Sequence, residues 1–341
     1  MGVTMGIIGA SGYTGAELLR LADAHPDLDV RYVTADTHAS RLVGELYPSL
    51  HSAYPELHTE TFDVASAKGL DVVFLCLPHE ISLAIVPQLV GRVGCVVDLS
   101  SAFRLRDATH YPRWYGFEHD QPELLAEAVY GLPELHRQAL GGARLVATPG
   151  CYVTAATLAL APLARAGLVG ADGAIVDAAS GVTGAGRSAT AATHFCTVDE
   201  NLSAYALDGH RHTCEMEQEI GAQVLFTPHL VPMNRGILAT CYARPPAGSQ
   251  PSTERLLGVL GEAYAREPFV VVSESSPSTK ATLGSNAVHL TARYDVRTGH
   301  AVVISALDNL TKGASGGAVQ AANVALGLDE TAGLTAVGMM P

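Results

Sequence analysis

The chain has 341 residues, 48% of them hydrophobic and 16% charged, with 34 glycines and 18 prolines spread along it, which excludes a disordered or fibrous protein. At about 100–200 residues per domain the length argues for two domains rather than one small fold. Acidic residues number 34 against 21 basic ones, a net charge of −13 with no run of Lys or Arg, so the footprint of a nucleic-acid binder is missing and any anionic substrate must be met by local arginines.

No apolar stretch approaches the length of a membrane span, and the opening MGVTMGIIGASGYTG lacks a charged n-region and a cleavage site. The expectation is a cytoplasmic protein with no membrane partner. Gly6 stands where a myristoylation signal needs Ser or Thr. Six cysteines without a CxxC pair read as thiols in a reducing compartment.

In chain order, Val3–Ile8 is a short apolar run, predicted as a strand, that ends in Gly9-Ala10-Ser11-Gly12-Tyr13-Thr14-Gly15. Ala16, Glu17, Leu18, Leu19 and Leu21 follow with helical spacing. Strand, glycine loop and helix form the first half of a βαβ unit. Val30–Thr34, Val72–Leu77 and Cys95–Leu99 are further Val-rich runs of the kind found in buried parallel strands, with a helix predicted over Glu80–Leu89. The region 1–150 therefore reads as a doubly wound, Rossmann-type nucleotide-binding domain.

After Thr148-Pro149-Gly150-Cys151 a small-residue helix is predicted from about Tyr152. The texture then changes: AIVDAASG, QVLFTPHLVP, GILATCYARP, AVHLTARY and AVVISALDN read as strands of a second sheet, largely antiparallel because several alternate apolar with polar residues. One helix, about Thr253–Tyr264, interrupts them. The expected fold class is thus α/β: a Rossmann-type parallel sheet over residues 1–150, then an α+β catalytic domain over 151–310 with a mixed, largely antiparallel sheet. The Ala-rich tail, about 311–341 with a helical period over Gly313–Gly327, is expected to pack back on the first domain.

The glycine loop has the small residues a backbone needs to approach a pyrophosphate, whose charge the following helix N-terminus stabilises. An ordinary tight turn competes with that reading, but the flanking strands favour a cofactor. Asp36 would accept from a ribose hydroxyl and favour NAD, whereas Ser40 and Arg41 would hold a 2′-phosphate and favour NADP. Cys151 falls at the start of a helix, where the dipole lowers a thiol pKa and makes a nucleophile; Cys76, Cys95 and Cys241, inside apolar runs, read as inert core cysteines.

His210-Arg211-His212 is the densest polar cluster, and a Cys–His pair is what activates a sulfur nucleophile. Two rivals remain: an extended segment would put His210, His212 and Cys214 on one side as zinc ligands, the weakest reading, or the histidines are plain surface residues. Ser180 opens the glycine-rich SGVTGAGR, an anion-binding loop ending in Arg187, against which stands a flexible linker. Arg104 in DLSSAFRL lies where ligands collect at a sheet's carboxyl edge, with a surface arginine as its rival. His229 and Arg235 join two strands and border the same region.

GASGYTGAEL, VVDLSSAFRL, TPGCY, SGVTGAGR, HRHTCE, FTPHLVPMNRGI, PSTKATLGSN and DNLTKGASGGAVQ, in this order, resemble the N-acetyl-gamma-glutamyl-phosphate reductase family of arginine biosynthesis, nearly end to end. The resemblance implies Cys151 as the acyl-enzyme nucleophile, His210 as the acid/base, NADP(H) as cofactor and a homo-oligomer, dimer or tetramer, acting on a small acyl phosphate. Expected cofactor contacts are Gly9, Ser11, Gly12, Tyr13, Thr14 and Gly15, with Thr34, Ser40, Arg41, Pro78, Ser100 and Asn309; Arg104, Arg187, Arg211 and Ser180 are expected at the substrate's anions; no metal is expected. Val153, Ala102 and Cys214 depart from residues frequent in the family, and Ala35-Asp36-Thr37-His38 lacks its serine-arginine pair. Aspartate-semialdehyde dehydrogenase and the lysine-pathway aminoadipyl-phosphate reductase share the plan, but PGCY and HRH favour the arginine-pathway enzyme. A non-catalytic NADP-binding sensor would have lost Cys151 or His210.

Overall fold

The computed structural model describes residues 2–341, which divide by compactness into two units. The first comprises residues 2–109, Glu118–Pro149 and Ala314–Leu334; the second comprises His110–Phe117, Gly150–Gly313 and Thr335–Pro341.

In the first unit six strands form one parallel sheet in the order β2-β1-β3-β4-β6-β5: β1 Val3–Ile8, β2 Leu28–Thr34, β3 Val72–Leu75, β4 Cys95–Asp98, β5 Val129–Tyr130 and β6 Leu145–Ala147. Every residue of β3 and β4 is buried, as continuous Val-rich runs require when helices cover both faces. Helices α1 Tyr13–Asp23, α2 His79–Leu89 and α3 Pro133–Leu140 belong to this unit. β5 and β6 went unpredicted because two or three residues carry no readable period. The C-terminal helix Gly316–Leu326 contributes Ala318, Val319, Ala321 and Ala322 to the same core. That helix is shorter than the tail expected at 311–341: a π-turn precedes it at Thr311–Ser315, Gly327 ends it in the left-handed region, and residues 335–341 run with the second unit.

The second unit is built on α4 Cys151–Arg165, whose residues Tyr152–Leu163 are all buried, and a seven-stranded mixed sheet of order β11-β12-β13-β10-β7-β9-β8. Its strands are β7 Ala174–Ser180, β8 Ser203–Ala204, β9 Val224–Leu230, β10 Ile237–Ala243, β11 Val270–Val272, β12 Val288–Asp295 and β13 His300–Leu307. β7 pairs parallel with β9 and β11 with β12; the remaining ladders are antiparallel. Besides α6 Thr253–Ala263 there is a second inserted helix, α5 His212–Ile220, where an extended segment was one reading. Period-2 burial on β7 and β10 turns Val176, Ala178, Ala239 and Cys241 inward and Ile175 and Tyr242 outward.

Two glycines of the first loop have separate reasons. At Gly15 a Cβ would lie 2.6 Å from Ala10 Cα and 2.8 Å from Gly9 O, whereas at Gly12 the nearest atom is 3.6 Å away. Gly15→Ala should therefore lower stability by about 1–3 kcal/mol, the cost of overpacking, while Gly12→Ala stays near wild type; urea unfolding of both variants measures the difference.

Candidate active site

The glycine loop after β1 is held by the second strand: Thr34 O accepts from Gly9 N at 3.1 Å and Ala10 N at 2.8 Å. Gly9, at φ +91°, is a position where a Cβ would meet Cys76 O at 2.5 Å, so the loop turns tightly over β3. Gly12 caps α1 with no side-chain hydrogen bond, leaving the first helical N–H groups without a side-chain acceptor. A pyrophosphate oxygen fits that need. Asp36, Ser40 and Arg41 are all exposed beyond β2, and Arg41 Nε donates to Glu45 at 3.3 Å. Pro78 caps α2.

At the end of β4, Asp98 is fully buried and accepts from Ser82 Oγ at 2.9 Å and from Ser100 N and Oγ at 2.9 and 2.7 Å. Burial raises its pKa; the serine hydrogen bonds and the charge of Arg104 oppose the rise. Arg104 is itself buried and donates to Leu99 O at 2.8 Å, so it is neither a surface arginine nor a loosely held one.

In the second unit Cys151 is the first residue of α4, with Gly150 as an N-cap that brings no side-chain acceptor. Two contacts define that turn. Gly150 N donates to Glu215 Oε1 at 3.0 Å, and a Cβ on Gly150 would fall 2.4 Å from His212 Nε2. The imidazole of His212 thus occupies the space that only glycine leaves open, one residue from the nucleophile candidate. On the other flank, a Cβ at Gly313 would fall 2.8 Å from Cys151 Cβ.

His212 begins α5, and with Cys214 two residues into a helix the alternation needed to line up three zinc ligands does not exist. His210 precedes the helix and its Nδ1 accepts from His212 N at 3.1 Å, so the neutral ring carries its proton on Nε2. Tyr152, Tyr205, His212 and Phe226 surround it with centroid distances of 5.9, 5.8, 4.6 and 5.2 Å. Burial in this box, then the neighbouring Arg211 charge, lower the His210 pKa to about 4. Tyr205 Oη donates to Tyr152 Oη at 3.1 Å, and Tyr152 Oη donates to His229 O at 3.1 Å. Burial raises both phenols, and negative charge on Cys151 raises each further.

Around this centre, Ser180 is buried beside the Tyr152 hydroxyl and donates to Gly181 O at 3.1 Å. Arg187 and Arg211 are exposed. Asn309 lies in the second unit, where Oδ1 accepts from Gly236 N at 2.7 Å and Nδ2 donates to Thr183 Oγ1 at 3.0 Å, bracing the glycine loop. His229 Nδ1 meets Asp177 at 2.9 Å, and Arg235 lies 3.6 Å from the buried Asp308. Tyr152, Glu215 and Phe226 lie inside the motifs that carry the resemblance, though none of them signals a role by its residue type, and Tyr205 carries no sequence signal.

Residues 4–143 match the semialdehyde dehydrogenase NAD binding domain, and residues 151–309 match the semialdehyde dehydrogenase dimerisation domain. Among solved structures, aspartate semialdehyde dehydrogenase II from Vibrio cholerae, complexed with ASA, has a TM-score of 0.70 at 16% identity, over 95% of this chain and 98% of that one. Aspartate semialdehyde dehydrogenase with NADP from Candida albicans has a TM-score of 0.63 at 15% identity, over 95% and 98%. Fold and motif together define a semialdehyde dehydrogenase. The N-acetyl-gamma-glutamyl-phosphate reductase of Symbiobacterium thermophilum is 46% identical, covering 99% of each chain, and that of Ectopseudomonas mendocina 45% identical, covering 99% of this chain and 100% of its own. This chain belongs to the N-acetyl-gamma-glutamyl-phosphate reductase family.

His210 gives a pH prediction. Its folded-state value lies below the unfolded value of about 6.5, so as pH falls the unfolded chain binds this proton first. The stability tied to neutral His210 is complete above that value and is lost as pH falls toward about 4. Urea unfolding at several pH values should show the wild type losing stability relative to His210→Asn across that window.

Proposed function

We propose that this chain reduces N-acetyl-gamma-glutamyl phosphate to N-acetyl-glutamate semialdehyde with release of phosphate, in arginine biosynthesis. The observation that carries the reading is Cys151 at the start of α4, with His212 and Glu215 against Gly150 before it and the His210 ring against Tyr152 after it. The Cys151 thiolate attacks the acyl carbon, the bond to the phosphate oxygen breaks, and a thioester remains. NADPH, when bound, supplies the hydride that reduces the thioester. The resulting thiohemiacetal oxyanion accepts a hydrogen bond from the Nε2–H of neutral His210; its carbonyl then re-forms as the C–S bond breaks, and the semialdehyde departs with Cys151 regenerated as thiolate. N–H groups at the start of α4 are suited to hold the oxyanion.

NADP(H) is the cofactor this reading takes. The loop glycines and the uncapped α1 suit the pyrophosphate; Ser40 and Arg41 are the donors assigned to a 2′-phosphate, in competition with Asp36. Arg187, exposed after the glycine loop, and Arg104, with its guanidinium directed by Leu99 O, are assigned to the substrate's anions. A second reading makes His212 the acid/base, favoured by its position against Gly150.

Turnover of N-acetylglutamate semialdehyde, phosphate and NADP by the purified protein tests the reaction. Cys151→Ser should abolish it while NADP still binds, because a hydroxyl lacks the nucleophilicity of a thiolate. His210→Asn should lower kcat by about 100-fold or more; a larger loss in His212→Asn would move the role to the second histidine.

We also infer a homo-oligomer in the cytoplasm. Cys76, Cys95, Cys196, Cys214 and Cys241 form no disulfide, and no helix among the described residues is long and apolar enough to cross a membrane. Register places Leu225, Ile175, Tyr242 and Val302 in one row on the outward face of the seven-stranded sheet, with Leu225 64% and Ile175 45% exposed. A second copy covering that row would bury it. Leu225→Asp should shift the mass found by light scattering toward monomer.

A further inference from the structure

From Gly184 to Gly209 the chain is exposed almost throughout, and its large apolar side chains Phe195, Leu202 and Leu207 are 74%, 63% and 72% exposed. Tyr205 behaves differently from these neighbours. Its N–H donates to Pro228 O at 3.1 Å, directly after the two-residue strand β8, and the following Ala206 adopts φ +49°, a strained conformation for a residue with a side chain. The residue stays 38% exposed, with one ring face to solvent and the other toward His210. The ring then closes the His210 box at 5.8 Å, and the hydroxyl bonds to Tyr152, the residue beside Cys151.

Resting on the reading of His210 as acid/base, we propose that Tyr205 is a positioning residue that keeps the His210 imidazole dry and correctly oriented by walling its box, and that anchors the Tyr152 ring beside the nucleophile through its hydroxyl. The other walls come from rigid elements: Tyr152 from α4, His212 from α5 and Phe226 from β9. Tyr205 alone among the four walls is carried by the exposed segment. The charged or titratable groups around His210 are Arg211 and His212 on the α5 side, Tyr152 from α4, and Tyr205 itself, while Cys151 acts on the two tyrosines. Arg211 and burial push the same way, toward the neutral imidazole, so opening the box to water removes the larger of the two effects.

The ring and the hydroxyl make separable contributions. Tyr205→Phe keeps the wall and loses the bond to Tyr152; Tyr205→Ala loses both. The His210 Cε1–H signal, assigned by its absence in His210→Asn, is followed by NMR across pH, and kcat and KM are measured on the same preparations. In Tyr205→Ala the His210 titration should move up by about one unit or more, with kcat lower by about 10-fold or more and KM for NADPH unchanged. Tyr205→Phe should restore the wild-type titration and most of kcat. A titration that stays at its wild-type position in Tyr205→Ala, or an equal shift in both variants, overturns the proposal. Full activity in His210→Asn instead overturns the assignment of His210, a result visible without either Tyr205 variant.

Discussion

The second unit depends on one close approach, the packing of His212 against the bare backbone of Gly150. A methyl group there would sit 2.4 Å from the imidazole, so the turn before Cys151 and the first turn of α5 can only meet through glycine. Glu215, one turn along α5, completes the contact by accepting the Gly150 N–H, a donor that the start of α4 leaves without an intrahelical partner. A carboxylate buried for that purpose places negative charge at a helix N-terminus, where the dipole favours it. The same contact that fixes Cys151 therefore fixes the segment carrying both histidines.

Around that joint the electrostatics are local rather than global. A chain of net charge −13 would repel a substrate that carries a phosphate and a carboxylate, yet the residues nearest His210 are aromatic or cationic. Desolvation by Tyr152, Tyr205 and Phe226 removes the imidazole's charge, and the His212 N–H on Nδ1 leaves the proton on Nε2. A ring prepared in this way donates one hydrogen bond in a fixed direction.

The sheet behind the site has two unlike faces. Alternation along β7, β9 and β10 turns Val176, Phe226 and Cys241 inward and leaves Ile175, Leu225 and Tyr242 outward. Apolar outward residues in register are unusual on a face meant for water, and they suit a surface completed by another copy.

Strong local patterns made most of the parallel sheet legible from sequence. The Val-rich runs of β1 to β4, the glycine loop after the first of them and the Ala-rich helix after Cys151 each carry a period long enough to read. Residue types around Cys151, His210 and Arg187 point to a sulfur nucleophile and an anion loop, and the resemblance adds the acyl chemistry. Tertiary structure decided what period could not: that His212 begins a helix instead of lying in a strand, that the Thr34 carbonyl holds the glycine loop, and that Arg104 is buried beside Asp98. It also brought Tyr205 to Tyr152 across 53 residues of sequence. Contacts of that kind arise from register, backbone strain and the absence of a single Cβ, all of which depend on residues far apart in the chain, so a local reading contains no trace of them.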